Sequence, residues 1–336
     1  MGDAYGAPLE FFDLAWIRER FGPEGPDTLA YMYGREGSVT DDTQMTLFTV
    51  DGMIRDWVQA RLHGTSDPID AVHRAYLRWL HTQGMTSEHP AFEERAVGWL
   101  DAVPELYAQR APGNTCISGL QRPSRGGMDD IPNDSKGCGG AMRVALLGFW
   151  GDDAFALARD TTVLTHGHPS GYLAAGFTAD VVRRIDQGAT LEEAARGSLD
   201  ALRAHEGHDE TSAALHAAFE LAGEGPATAE QLETLGEGWV AEEAVAIALY
   251  AALAAPDVKT AIRVAGVHSG DSDSTAAIAG AWLGAAYGIE ALPSAWVETV
   301  EMREAIEQLA DDWASIVETP DDDELARRLA SRYPQP

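Results

Sequence analysis

The sequence predicts an all-α protein, and three observations carry that prediction. Apolar residues recur at spacings of three and four in one segment after another. Alternation of β-branched residues is almost absent. Stretches rich in Gly, Pro and Asn punctuate the chain where helices would connect.

Taken in order, residues 45–57 place Leu47, Val50, Ile54 and Trp57 on one stripe. The same period runs through 71–80, 92–103, 154–164, 174–185, 191–204 and 213–222. It returns at 241–254, 258–267, 275–287 and 297–316. Residues 276–288, AAIAGAWLGAAYG, are rich in small residues. Glycine inside a helix costs roughly 1 kcal/mol relative to Ala, so this composition points to a buried helix with close backbone packing. Loops are expected at 22–28, 111–118 and 121–140, with surface turns at 206–211 and 223–229. Neither a flexible linker nor a repeat divides the chain, so one compact domain over 1–336 is expected. At 45% apolar residues there is enough material for its core.

Charge narrows the function. The chain has 24 basic and 54 acidic residues, a formal charge of −30. Such a surface repels nucleic-acid backbones and anionic membranes, although a local strip such as Arg122 and Arg125 could act against the bulk. A small anionic ligand remains compatible, because one loop can carry a potential opposite to the whole. Cys116 and Cys138 are the two cysteines, which leaves no disulfide framework and no thiolate zinc site. The opening MGDAYGAPLEF lacks a basic segment followed by an apolar one, and no apolar run approaches the ~20 residues of a membrane span. A cytoplasmic protein is expected, and a monomer, since no heptad or extended apolar face stands out.

Two short motifs carry chemistry. In SVTDDTQM (38–45), Thr40, Asp41 and Asp42 immediately precede an amphipathic helix. In HSGDSDSTAAIAG (268–280), Asp271, Asp273 and Ser274 do the same. Helix capping explains one acceptor at such a place, but each turn crowds two carboxylates beside a hydroxyl. Adjacent like charges repel unless a cation neutralises them, and hard oxygen donors suit magnesium, manganese or calcium. An EF-hand is excluded: counted from Asp271, the sixth position is Ala276 and the twelfth Trp282. HExxH is absent too, which argues against catalytic zinc.

Five segments, in order, resemble the ADP-ribosylglycohydrolase family. They are GDAYGAPLEF (2–11), SVTDDTQM, NDSKGCGGAMRVALLG (133–148), LTHGHPSGYLAAG (164–176) and GDSDSTAAIAGAWLGAAYG (270–288). The resemblance implies a compact orthogonal helical bundle with a dinuclear metal cleft. Two Mg2+ or Mn2+ ions would be held by Thr40, Asp41 and Asp42 on one side and Asp271, Asp273 and Ser274 on the other. Several members carry Thr where Ser274 stands, and Ser keeps the hydroxyl oxygen. Glu10 falls where some members place a glutamate over the metal site; read alone, it is a surface acid after Pro8. Family members also carry more apolar residues upstream, in a first helix, whereas this chain starts almost on its first motif.

The glycine-rich run Gly137, Cys138, Gly139, Gly140 precedes the helix-like AMRVALLGFW. By itself it reads as a turn, yet open backbone N–H groups before a helix also suit a diphosphate. The resemblance places this loop, with Met142 and His166, along an ADP-ribose cleft; Cys138 within it reads as a packing residue. His168, Asn133 and Asp134 suit turns, and His268 suits a supporting role behind the metal ligands.

The implied reaction is hydrolysis at C1 of the distal ribose, releasing ADP-ribose from a modified protein or small molecule. Asp41 or Asp273 would orient the water, with Glu10 as a further catalytic acid. ADP-ribosylarginine is the first expected acceptor. Serine, a small molecule, a nucleobase and a non-catalytic ADP-ribose-binding module are the alternatives.

Overall fold

The computed structural model describes residues 1–335, and Pro336 lies outside them. The helices are α1 (Gly2–Gly6), α2 (Leu14–Phe21), α3 (Asp41–His63), α4 (Pro68–Thr82), α5 (Asn114–Leu120) and α6 (Ala154–Val163). They continue as α7 (Pro169–Asp186), α8 (Leu191–Leu202), α9 (Asp209–Ala222), α10 (Ala229–Leu232), α11 (Ala241–Ala254) and α12 (Val258–Gly266). The last four are α13 (Ser272–Tyr287), α14 (Ser294–Thr299), α15 (Arg303–Glu318) and α16 (Asp323–Leu329). A two-residue hairpin, β1 (Tyr31–Met32) against β2 (Arg35–Glu36), is the sheet content among the described residues. The all-α prediction therefore holds.

The small-residue helix α13 is central, packed by α1, α12, α11 and α7. Its Trp282 is fully buried and donates to the Thr178 carbonyl of α7. Small residues let these backbones approach, and α1 shows why. A Cβ on Gly2 would lie 1.8 Å from the Ala276 carbonyl oxygen, and one on Gly6 would lie 2.2 Å from that of Ser272. Only glycine permits this spacing. α3 lies against α4, α15 and α16 on the other flank. No helix among the described residues is long and apolar enough to cross a membrane.

Several segments depart from the periodicity. Residues 92–103 form 3-10 turns rather than an α-helix. Asp101 there accepts from the Gly98 N–H and from Arg78, while the Ala96 carbonyl takes the Arg55 guanidinium, so polar tertiary contacts override a weak helical pattern. The stretch 297–316 breaks between α14 and α15, where Met302 has φ 55°. Glu301 is drawn out of helical geometry: its N–H donates to the Gly37 carbonyl, and its carboxylate accepts from the Val39 N–H and Arg110. AMRVALLGFW winds as 3-10 turns, Cys138–Arg143 and Ala145–Trp150. Gly140 and Gly148 there press against Thr162 and Val182. Within the expected loop 111–118, α5 begins at Asn114.

Candidate active site

Thr40 caps α3, its hydroxyl accepting from the Asp42 N–H at 3.3 Å. The capping role is thus filled by one residue of the motif. Asp41 and Asp42 follow in the first turn, 4% and 3% exposed. Asp41 accepts from the Gly113 N–H at 3.2 Å, whereas Asp42 Oδ2 is buried without a protein partner. At the start of α13, Asp271 stands at the cap position yet makes no capping bond. Asp273 Oδ1 is likewise buried and unpartnered. These carboxylates are not spent on helix ends, which removes the ordinary explanation for them.

Glu10 is not the surface acid that Pro8 suggested. It is 6% exposed, and its Oε2 has no partner. Oxygens of Glu10, Asp271 and Asp273 lie within 4.8 Å of one another. Burial comes first, and repulsion from Asp273, Asp271 and Asp41 next, in pushing the Glu10 carboxyl up to about 11. Burial with neighbouring acids also holds Asp41, Asp42 and Asp271 well above the usual carboxylate range. Such a group of acids takes up either protons or cations, and its orphaned oxygens fit divalent ions.

These residues line a cleft of about 440 Å³. Its walls include Glu10, Asp41, Asp42, Asp271, Asp273 and Ser274, together with Gly137, Cys138, Gly139, Met142 and His166. All but two of the residues expected as metal ligands, catalytic groups or ADP-ribose contacts are brought together. Thr40, which caps α3, and Gly140, which faces Thr162, are not among the lining residues. A larger cavity of about 710 Å³, between α3, α13 and α15, is mostly apolar and shares Asp42 and Met142 with the cleft. The donor chemistry, rather than size, marks the smaller one.

The glycine loop is partly committed. The Gly137 N–H donates to Ser135 Oγ at 3.3 Å and the Cys138 N–H to the Trp239 carbonyl at 3.2 Å, which narrows its capacity for an anion. Beneath it, a Cβ on Gly139 would lie 3.0 Å from both Cys116 Sγ and His166 Cε1. The His166 Nδ1 meets Thr165 Oγ1 at 2.8 Å, and its Nε2 faces Gly137. Burial, then Arg143, pushes the imidazole down to about 3, so it is neutral at ordinary pH. His268 meets the Ser269 carbonyl through Nδ1 and Thr275 Oγ1 through Nε2, bracing the turn before Ser274. His168 caps α7, and Asn133 bonds Thr165 and Ser135 as a turn residue. Arg122 and Arg125 pair with Asp130, Asp67 and Asp70, so they offer no free basic strip.

Sequence reading missed three participants. Asp3, 2% exposed, accepts from the N–H and hydroxyl groups of both Thr40 and Thr43, and so holds the first motif in place. The signal was available: a lone acid between Gly2 and Gly6 in a small-residue turn. Phe11, with φ 70°, stacks on Trp239 at 5.4 Å on the cleft wall, and no local pattern announces that pairing.

With this geometry, likeness to known proteins becomes informative. The family model described as ADP-ribosylglycohydrolase matches residues 1–324. The ADP-ribosyl-[dinitrogen reductase] glycohydrolase of Rhodospirillum rubrum is 26% identical, over 90% of this chain and 87% of that protein. The ADP-ribosylhydrolase ARH3 of Mus musculus is 30% identical, over 92% of this chain and 87% of its own. A solved ADP-ribosylglycohydrolase-related protein complex superposes with a TM-score of 0.66 at 22% identity, covering 94% of both chains, which bears on the fold alone.

Proposed function

The chain belongs to the ADP-ribosylglycohydrolase family, hydrolases of glycosyl bonds, and on that premise we propose that it frees ADP-ribose from a modified acceptor by cleaving the bond at C1 of the distal ribose. ADP-ribosylarginine on a protein is the first acceptor. The observation that carries the reading is the joining of Glu10, Asp271 and Asp273 within 4.8 Å, on a cleft that also holds the glycine loop and His166.

Thr40, Asp41 and Asp42 from α3 and Asp271, Asp273 and Ser274 from α13 would hold two Mg2+ or Mn2+ ions. Bound there, such ions supply Lewis acidity and positive charge toward the ribose hydroxyls. The protein's own groups do the rest. Asp41 or Asp273 takes a proton from the attacking water. Glu10, on the same cleft wall, passes one to the departing acceptor atom. This division of labour between two carboxyl groups parallels other glycoside hydrolysis. Neutral His166 and the remaining loop N–H groups orient the sugar and diphosphate. Asp3 keeps Thr40 and Thr43 fixed, and through them the first turn of α3.

An ADP-ribosylated arginine peptide and a matching serine peptide, each incubated with Mg2+ and then with EDTA, test this, with ADP-ribose quantified by mass spectrometry. Metal-dependent release from the arginine peptide, lost in Asp273→Asn, is expected. Release from serine alone corrects the acceptor. Tight ADP-ribose binding by calorimetry without release from either peptide replaces the enzyme with a binding module.

A further inference from the structure

Arg143 is a buried cation without an anion. It is fully buried, and its guanidinium donates to Met45 Sδ and Cys116 Sγ, each at 3.3 Å, and to Thr165 Oγ1 at 2.7 Å. The Tyr76 ring lies 4.3 Å from it, and its Nε has no partner. None of these neighbours is a carboxylate. Buried charges are ordinarily paired, so this one calls for a reason.

Thr165 supplies it. Its Oγ1 meets the His166 Nδ1 at 2.8 Å. A guanidinium can only donate, so the Thr165 oxygen accepts from Arg143 and keeps its own proton to give. The Thr162 carbonyl, 3.4 Å away, already accepts from the N–H groups of Thr165 and His166, which fills both of its lone pairs. The Thr165 proton therefore goes to Nδ1. A neutral imidazole that accepts at Nδ1 carries its hydrogen on Nε2. That atom has no protein partner among the described residues, belongs to a side chain on a residue 2% exposed, and faces Gly137 and Gly139 on the cleft wall.

We propose that Arg143 and Thr165 are positioning residues that lock His166 as an Nε2–H donor, and that this donor takes an acceptor oxygen of the ligand's diphosphate. The cleft wall carries five carboxylates and neither lysine nor arginine. Its glycine loop has already committed the Gly137 and Cys138 N–H groups. Apart from bound cations, a diphosphate there depends on neutral donors, and a histidine held in one tautomer presents an N–H in every molecule rather than in a fraction of them. The charge of Arg143, which no ion pair cancels, also lies on the favourable side for an anion. The inference rests on the ADP-ribose reading above and adds to it two residues that do not line the cleft.

Nitrogen NMR of the histidine rings in the isotope-labelled, Mg2+-loaded full chain supplies a readout independent of catalysis, with the His166 signals assigned by their loss in His166→Gln. The expected result is an unprotonated Nδ1 and a protonated Nε2 whose resonance moves when ADP-ribose is added. Thr165→Val, close in shape but without the hydroxyl, should mix the two tautomers and weaken ADP-ribose binding by more than about tenfold in calorimetry. Thr165→Ser, which keeps the hydroxyl, should restore both properties. Arg143→Met frees the Thr165 oxygen to accept and should also mix the tautomers; where circular dichroism shows that variant unfolded, Thr165→Val decides alone. A proton on Nδ1 in the wild type, or unchanged ADP-ribose affinity in Thr165→Val, overturns the inference and leaves the hydrolase standing. An Nε2–H signature in a wild type that binds no ADP-ribose overturns the functional reading instead, and with it the ligand assigned to this donor.

Discussion

Replacing Gly6 by alanine should disable the site without changing any catalytic side chain. The new methyl would lie 2.2 Å from the Ser272 carbonyl oxygen and 2.5 Å from Asp273 Cα, both backbone atoms of α13 that cannot rotate away. Contact distance is roughly 1 Å further out, so α1 and α13 must separate by about that much. Forced overpacking of this kind costs about 1–3 kcal/mol. Because Asp273 is the atom's immediate neighbour and Asp3 rides on α1, the separation also pulls the two aspartate motifs apart. A displacement near 1 Å at reacting groups costs about a hundredfold in rate. Gly284→Ala is the control: it lies in α13 too, and a Cβ there meets nothing within 4 Å. That substitution should be neutral, or stabilising by up to ~1 kcal/mol. Urea unfolding and Mn2+ calorimetry on both variants decide the matter. A Gly6→Ala protein with wild-type stability and metal affinity would falsify the close-approach account.

Asp3→Asn keeps the shape but loses the charge that four donors of Thr40 and Thr43 address. Metal affinity by calorimetry should fall about 10- to 100-fold, and an unchanged value would make Asp3 a bystander. Asp51 is fully buried between Arg55 and Arg78; burial pushes its carboxyl up, but the two guanidiniums outweigh this and hold it below the usual range. Asp51→Asn strands both cations and should cost about 3–5 kcal/mol in urea unfolding; a loss under about 1 kcal/mol would show that Asp101 alone suffices. Burial, then His89, lowers His73 to about 3 from an ordinary 6.5. The unfolded chain therefore binds the proton first, and this stability is present above pH 6.5 and lost as pH falls towards 3. Between pH 7.5 and 5 the wild type should lose about 2 kcal/mol more than His73→Phe; equal losses would refute the assignment.

What the sequence determined by itself was local. Helices announce themselves through a period of 3.6 residues, and most long segments appear where that period runs. The aspartate motifs were legible because a hydroxyl and two carboxylates within a few residues exceed what a helix start requires. Tertiary structure decided what depends on residues far apart. Residues 92–103 and 297–316 read as helices, but Asp101 and Glu301 find partners elsewhere in the chain, and those bonds outweigh weak local preference. Glu10 read as a surface acid because the carboxylates it meets, Asp271 and Asp273, lie more than 250 residues away in the chain. The aspartate motifs become one site because Gly2 and Gly6 let α1 touch α13, and Asp3 then ties that pair to α3. No periodicity encodes such an approach; it exists only once the backbones are in contact, where the absence of a side chain becomes a structural element.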